Sequence, residues 1–282
     1  MKPRILILAL FLASQFIIAQ NSLTFDKKFV QSEDKWVVFP MTKDSTYMFG
    51  FIYIDPVAGL TFDLEGDFKI NSNGRFITSG NKKESSIKTR LQPNNTLIAF
   101  IPESKFSELN IPKTPEWLQA YKTNENSIER LYNWGYMYNG WNECEKALVY
   151  LEKAKNINQN YKGLNVELAF SYNCLKRYQD AILVLQKAIE SNPTDSYTNK
   201  ELIYAEVKSG QIDLAIKSFK RALEICKDET YNAENSFQIL QAYFLQKDVI
   251  NFEKWLSENH NLLYKNQTLP PIIEQMITLI KK

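Results

Sequence analysis

The sequence predicts an α+β chain: a small antiparallel β-domain followed by an all-α helix-turn-helix solenoid. Residues 36–101 hold short runs of aromatic and β-branched side chains cut by Gly, Pro, Asn and Asp, the punctuation of strands and tight turns. Residues 128–229 then repeat at a spacing of 34, with alanines at Ala147, Ala181 and Ala215 and again at Ala154, Ala188 and Ala222. Each repeat holds two apolar-periodic segments around a break, the pattern of helix pairs that bury their core by stacking on neighbours.

The chain opens with MKPRILILALFLASQFIIAQ, in which Lys2 and Arg4 precede an apolar run from Ile5 to Ala19. A run of about 15 residues falls short of the roughly 20 that cross a bilayer as a helix, so residues 1–20 are expected to be a secretory signal peptide. Cleavage is expected after Ala19 or Gln20, placing the protein in the periplasm or outside the cell with no stable membrane span; an uncleaved N-terminal anchor is the alternative, because Ile17 stands where a small residue is preferred. Without that leader the chain carries 32 basic and 32 acidic side chains. A neutral surface gives no electrostatic reason to expect nucleic acid or an anionic membrane as partner.

The β-domain is expected over residues 21–110. Its clearest strand is Leu60 to Ile70, where Leu60, Phe62, Leu64, Phe68 and Ile70 alternate with Thr61, Asp63, Glu65, Asp67 and Lys69. Period-two alternation predicts one buried and one wet face, with Gly66 on the buried side marking a bulge. Asn73-Gly74 predicts a hairpin, returning through Arg75 to Thr78. Trp36 to Phe39, Tyr47 to Ile54, Ser86 to Leu91 and Thr96 to Ile101 are the other strands. Asp63, Glu65 and Asp67 share one strand face with consecutive members about 6.8 Å apart, a spacing suited to sugar or calcium chemistry. The expectation is a solvated outer face instead.

Pro102 to Pro115 holds three prolines and little periodicity, which predicts a connection between domains. Residues 111–125 complete it with a short helix in which Thr114 caps, Pro115 occupies the first turn, and Trp117, Leu118 and Tyr121 share a face. This helix is expected to seal the near end of the solenoid.

The solenoid is expected over residues 126–260, with clear units at 128–161, 162–195 and 196–229 and a degenerate one at 230–260. In the middle unit Leu168, Ala169 and Tyr172 line the first helix. Ala181, Leu185 and Ala188 line the second, before Pro193 ends it. The columns Ala169, Tyr172, Ala181, Leu185, Ala188 and Pro193 resemble the tetratricopeptide repeat family, and Gly135, Tyr138, Ala147, Leu151 and Ala154 match in the first unit. The third keeps Gly210, Ala215, Phe219 and Ala222 but places Ile203 and Glu206 where the small and aromatic residues belong. A closing helix is expected within 261–282, from Ile273, Met276, Ile277 and Ile280 at helical spacing.

The resemblance implies that the first helices line a concave surface gripping extended peptides or partner helices. Mapped onto this chain, its exposed residues are Tyr132, Tyr136, Asn139, Val166, Phe170, Asn173, Lys200, Tyr204 and Lys208. Tyr136, Phe170 and Tyr204 form an aromatic column where carboxylate-gripping members of the family carry asparagine, implying an apolar or stacking grip. Packing is the competing account of that column.

His260 is the single histidine, glycines number nine, and no phosphate loop or dinucleotide fingerprint is present. The expected function is therefore a non-catalytic protein–protein interaction scaffold with no catalytic residue, metal or cofactor. The alternative is glycan binding or cleavage by the β-domain, with Trp36 or Tyr53 as stacking platforms. Homo-oligomerisation through a solenoid end is a further possibility. Cys144, Cys174 and Cys226 form no close C-x-x-C pair, which argues against zinc. A Cys144–Cys174 disulfide would suit an exported chain, but buried free thiols filling small helix positions are the expectation.

Overall fold

A computed structural model describes residues 23–79 and 87–281. The signal-peptide reading of residues 1–20, Ser86 and Lys282 lie outside the described residues. Among the described residues two compact units form, one from 23–53, 62–79, 87–89 and 94–116, the other from 54–61, 90–93 and 117–281.

The sheet contains β1 (Lys35–Val38), β2 (Tyr47–Asp55), β3 (Gly59–Ile70), β4 (Phe76–Thr78), β5 (Ile87–Arg90) and β6 (Ala99–Phe100). Its order is β4-β3-β2-β1-β6, with β5 also pairing β3. β1 runs antiparallel to β2 with Lys35 opposite Ile52 and Val38 opposite Phe49. The Asn73-Gly74 hairpin forms as expected: Gly74 takes φ 71°, a conformation that favours glycine, and Phe68 pairs with Thr78.

An aromatic core holds the sheet. The Phe68 ring stacks on Phe76 at 4.5 Å and meets Phe49 edge-on at 5.6 Å, separations at which ring quadrupoles attract. Trp36 packs edge-on against Phe51 at 5.1 Å and its indole N–H donates to the Pro112 carbonyl at 2.8 Å. The strand Leu60 to Ile70 departs from simple alternation. Thr61 and Asp63 are buried, Asp63 at 4% exposure, whereas Ile70 is exposed. The acids Asp63, Glu65 and Asp67 therefore form no continuous wet face. The reason is coverage: the near end of β3 is buried on both sides and its far end on one, which alternation within a single strand does not encode.

Trp36 and Tyr53 are buried, Tyr53 at 0% exposure, so neither is a stacking platform for a sugar. The segment after Pro102 is also more ordered than its prolines predicted, with a 3-10 turn at Glu103–Lys105 running into α1 (Phe106–Leu109). Lys105 is buried there. Its ammonium donates to the Gly74 carbonyl at 2.8 Å and to Glu108 at 3.1 Å, while Glu108 accepts from the Phe76 amide at 2.7 Å. Burial works against the Glu108 carboxylate, but the Phe76 amide and Lys105 hold its pKa below the ordinary 4.5.

After a 3-10 helix at Glu116–Tyr121 the chain winds through four helix pairs: α2 (Ile128–Gly140) with α3 (Cys144–Ile157), α4 (Leu164–Cys174) with α5 (Tyr178–Ser191), α6 (Ser196–Lys208) with α7 (Ile212–Ile225), and α8 (Asn232–Leu245) with α9 (Val249–Glu258). α10 (His260–Lys265) and α11 (Pro270–Ile280) follow. Between the two helices of each pair one residue turns left-handed: Asn142 (φ 59°), Lys176 (φ 60°), Gly210 (φ 80°) and Lys247 (φ 56°). At each turn the next amide reaches back five residues, as Glu143 N–H to the Tyr138 carbonyl at 2.9 Å and Arg177 N–H to Tyr172 at 2.8 Å. This closes carbonyls that the helix end leaves unpaired.

Candidate partner-binding face

The small residues at 34-residue spacing lie where the helices touch. Ala147, Ala181 and Ala215 are all fully buried, as are Ala154, Leu151 and Leu185. Gly135 is held by space: a Cβ there would stand 2.3 Å from the Leu151 side chain. Tyr138 and Tyr172 fill the next column inward. Repeat-phased helix pairs meeting through these columns decide the architecture. The helical unit has the tetratricopeptide-repeat fold.

The first helices of the repeats, α2, α4, α6 and α8, neighbour one another and form one face. Tyr136, 58% exposed, stands on it, with Phe170 and Tyr204 half-buried in the next repeats. The aromatic column thus lies at the surface rather than in the core. Tyr132 is half-buried between Tyr161, 5.2 Å away, and Tyr136, 6.5 Å away. Burial, helped by Glu167 and these neighbouring tyrosines, pushes its phenol up to about 12. Val166 is half-buried and Lys208 exposed, with the Lys208 ammonium 5.5 Å from the centre of the Tyr204 ring.

Asn139 and Asn173 are a correction to the expected exposed set. They retain only 4% and 6% exposure because they stitch adjacent repeats together. Asn139 Nδ2 donates to the Glu167 carbonyl and carboxylate, both at 2.9 Å, and Asn173 Nδ2 donates to the Glu201 carboxylate at 3.0 Å. Burial raises the Glu167 carboxyl above its ordinary 4.5, with Asn139 pulling it back. The signal for this stitch was present: Asn139 with Asn173, and Glu167 with Glu201, both stand at the repeat spacing of 34.

Lys200 is half-buried at the centre of the face. Its ammonium lies 2.9 Å from Glu201 and 3.7 Å from Glu234, and 5.4 Å and 5.8 Å from the Tyr197 and Tyr231 rings. Burial disfavours its charge, but the two carboxylates outweigh that and raise its pKa. Beside it lies a hollow of about 380 Å³, lined by Phe170, Asn173, Tyr178, Tyr204, Glu234 and Gln238 among others. Tyr178, Glu234 and Gln238 were not among the residues the sequence pointed to. Tyr178 opens a second helix, and Glu234 and Gln238 belong to the degenerate unit, where phasing slips.

The expectation of free thiols holds for Cys226, which is buried, but not for the other two cysteines. Cys144, at the start of α3, is bonded to Cys174, at the end of α4, closing a separation of 30 residues. The helix-end geometry brings their Cα atoms to 6.3 Å, within bridging range.

No family model matches the chain, and no curated protein matches it. Among solved structures, MamA of MSR-1 aligns over 57% of this chain and 89% of its own at 20% identity and TM-score 0.45. YrrB, described as a TPR protein with an unusual peptide-binding site, aligns over 58% and 80% at 17% identity and TM-score 0.48. TTC0263, a thermophilic TPR protein of Thermus thermophilus, aligns over 58% and 88% at 19% identity and TM-score 0.43. Likeness at this level says nothing of what this chain binds. Among the described residues no helix is long and apolar enough to cross a membrane, and no group of three His, Cys, Asp or Glu side chains could hold a metal ion.

Proposed function

We propose that the protein is an exported, non-catalytic scaffold that holds an extended segment or helix of a protein partner against the face formed by α2, α4, α6 and α8. The observation that carries this reading is the surface column Tyr136, Phe170 and Tyr204, of which Phe170 and Tyr204 line a hollow of ligand-binding size, about 380 Å³. Aromatic side chains offer a large contact area at small entropic cost, and they dominate the energetics of many interfaces. Export is supported by the basic and apolar opening of the sequence and by the Cys144–Cys174 bond, which persists in oxidising compartments.

A photo-crosslinking residue in place of Phe170, compared with one in place of the exposed Leu183 on α5, tests the face in intact cells. Crosslinks to a defined protein from position 170 alone are expected; equal products from both positions would sink the reading. Cell fractionation with sequencing of the mature N-terminus tests export, with Gln20 or Asn21 expected as first residue.

A further inference from the structure

Two side chains that line the hollow beside Lys200 each hold a buried acceptor without a donor. Asn173 Oδ1 is buried there with no hydrogen bond. One repeat earlier the equivalent Asn139 Oδ1 accepts from the Ser171 hydroxyl at 2.7 Å, but the residue 34 positions after Ser171 is Ala205, which has no hydroxyl. Gln238 Oε1, on the same wall, is a second buried acceptor without a hydrogen bond. Glu234 is 45% exposed in its side chain and its ion pair with Lys200 is long, at 3.7 Å. Lys200 is committed to Glu201 at 2.9 Å, so the nearest cation is already engaged. Phe170, Tyr178 and Tyr204 also line the hollow, and aromatic ring faces attract cations.

Building on the groove reading above, we propose that this hollow receives the guanidinium of an arginine carried by an extended partner segment. A guanidinium is a planar fork of N–H donors with no acceptor, and its face stacks on aromatic rings. It can therefore serve Asn173, Gln238 and Glu234 together, where an ammonium offers a single point of charge. A guest carboxylate would bring further acceptors to Asn173 Oδ1 and Gln238 Oε1, which already have no donor, beside a like charge on Glu234. Lys176, exposed at the mouth, opposes a cation, but its charge is solvated and screened.

The test uses the immobilised full-length protein and four pools of acetylated, amidated dodecapeptides with degenerate flanks and Arg, Lys, Leu or Glu fixed at the centre. Retention of the Arg pool about tenfold above the Leu and Glu pools is expected. Glu234→Gln should lower Arg retention about fivefold or more. Ala205→Ser gives Asn173 Oδ1 the donor that Ser171 supplies one repeat earlier. It should lower Arg retention while thermal unfolding stays at or above that of the wild type, so that loss of fold cannot account for the effect. If the Leu or Glu pool binds as well as the Arg pool and Tyr204→Ala abolishes that binding, the groove reading stands and the arginine assignment falls. If no pool is retained, or Arg retention is unchanged in both variants, the assignment is overturned.

Discussion

Glu206 shows how one residue sets a pH dependence. It stands 34 residues after Tyr172 in the column that otherwise holds a buried tyrosine, and it is 3% exposed. Burial raises its carboxyl from 4.5 to about 6, with Ser218 and Arg221 pulling the other way. Between those values the folded state binds more protons than the unfolded one, so stability falls as pH rises through that window and stays lower above it. Glu206→Gln should therefore raise stability at pH 7.5 by about 1–2 kcal/mol, an advantage that disappears below the ordinary carboxylate range. Denaturant titration at both ends of the range measures it; an advantage equal at every pH would refute the cause. Gly135 poses the opposite constraint. Its Cβ position is filled by Leu151 at 2.3 Å, so Gly135→Ala should cost about 1–3 kcal/mol in the same titration.

At the scale of elements, the turn between paired helices and the link between repeats are separable. The left-handed turn residue is Lys176 in the second pair and Gly210 in the third. A left-handed L-residue costs about 1–2 kcal/mol, part of which glycine gives back through greater freedom in the unfolded chain. Lys176→Gly should accordingly stabilise by about 0.5–1 kcal/mol in thermal unfolding, and Gly210→Lys should destabilise. The Cys144–Cys174 bond joins the first repeat to the second across 30 residues. Closing such a loop in the unfolded chain corresponds to about 3–4 kcal/mol. Reduction, or Cys174→Ser, should remove that much stability, read as a lower unfolding midpoint; an unchanged midpoint under complete reduction would count against the linkage.

At the scale of the whole molecule, each repeat depends on the next for its buried face, and the last needs a closure. Ile273 and Met276 of α11 share a core with Phe252, Trp255 and Leu263. Truncation before Pro270 uncovers that core, and hydrogen exchange should then rise across α8, α9 and α10 while α2 and α3 keep their protection. Much of this solenoid was legible from residue spacing alone. Alanines at 34-residue intervals mark helix contacts, because only small side chains let two helices approach so closely, and Asn73-Gly74 marks its hairpin by backbone preference. Local signals of this kind belong to the chain before it folds. The sequence by itself thus determined the α+β order, the helix pairs and the hairpin, and it placed Tyr136, Phe170 and Tyr204 in one column without deciding whether that column packs or is exposed. Other features depend on what comes to lie against a residue from a distant part of the chain. Only tertiary structure decided that Asp63 and Tyr53 are covered, that Asn139 and Asn173 stitch repeats together and that Cys144 meets Cys174. The hollow that joins Asn173, Glu234 and Gln238 is of the same kind, because burial and partnership belong to pairs of surfaces and not to either sequence segment alone.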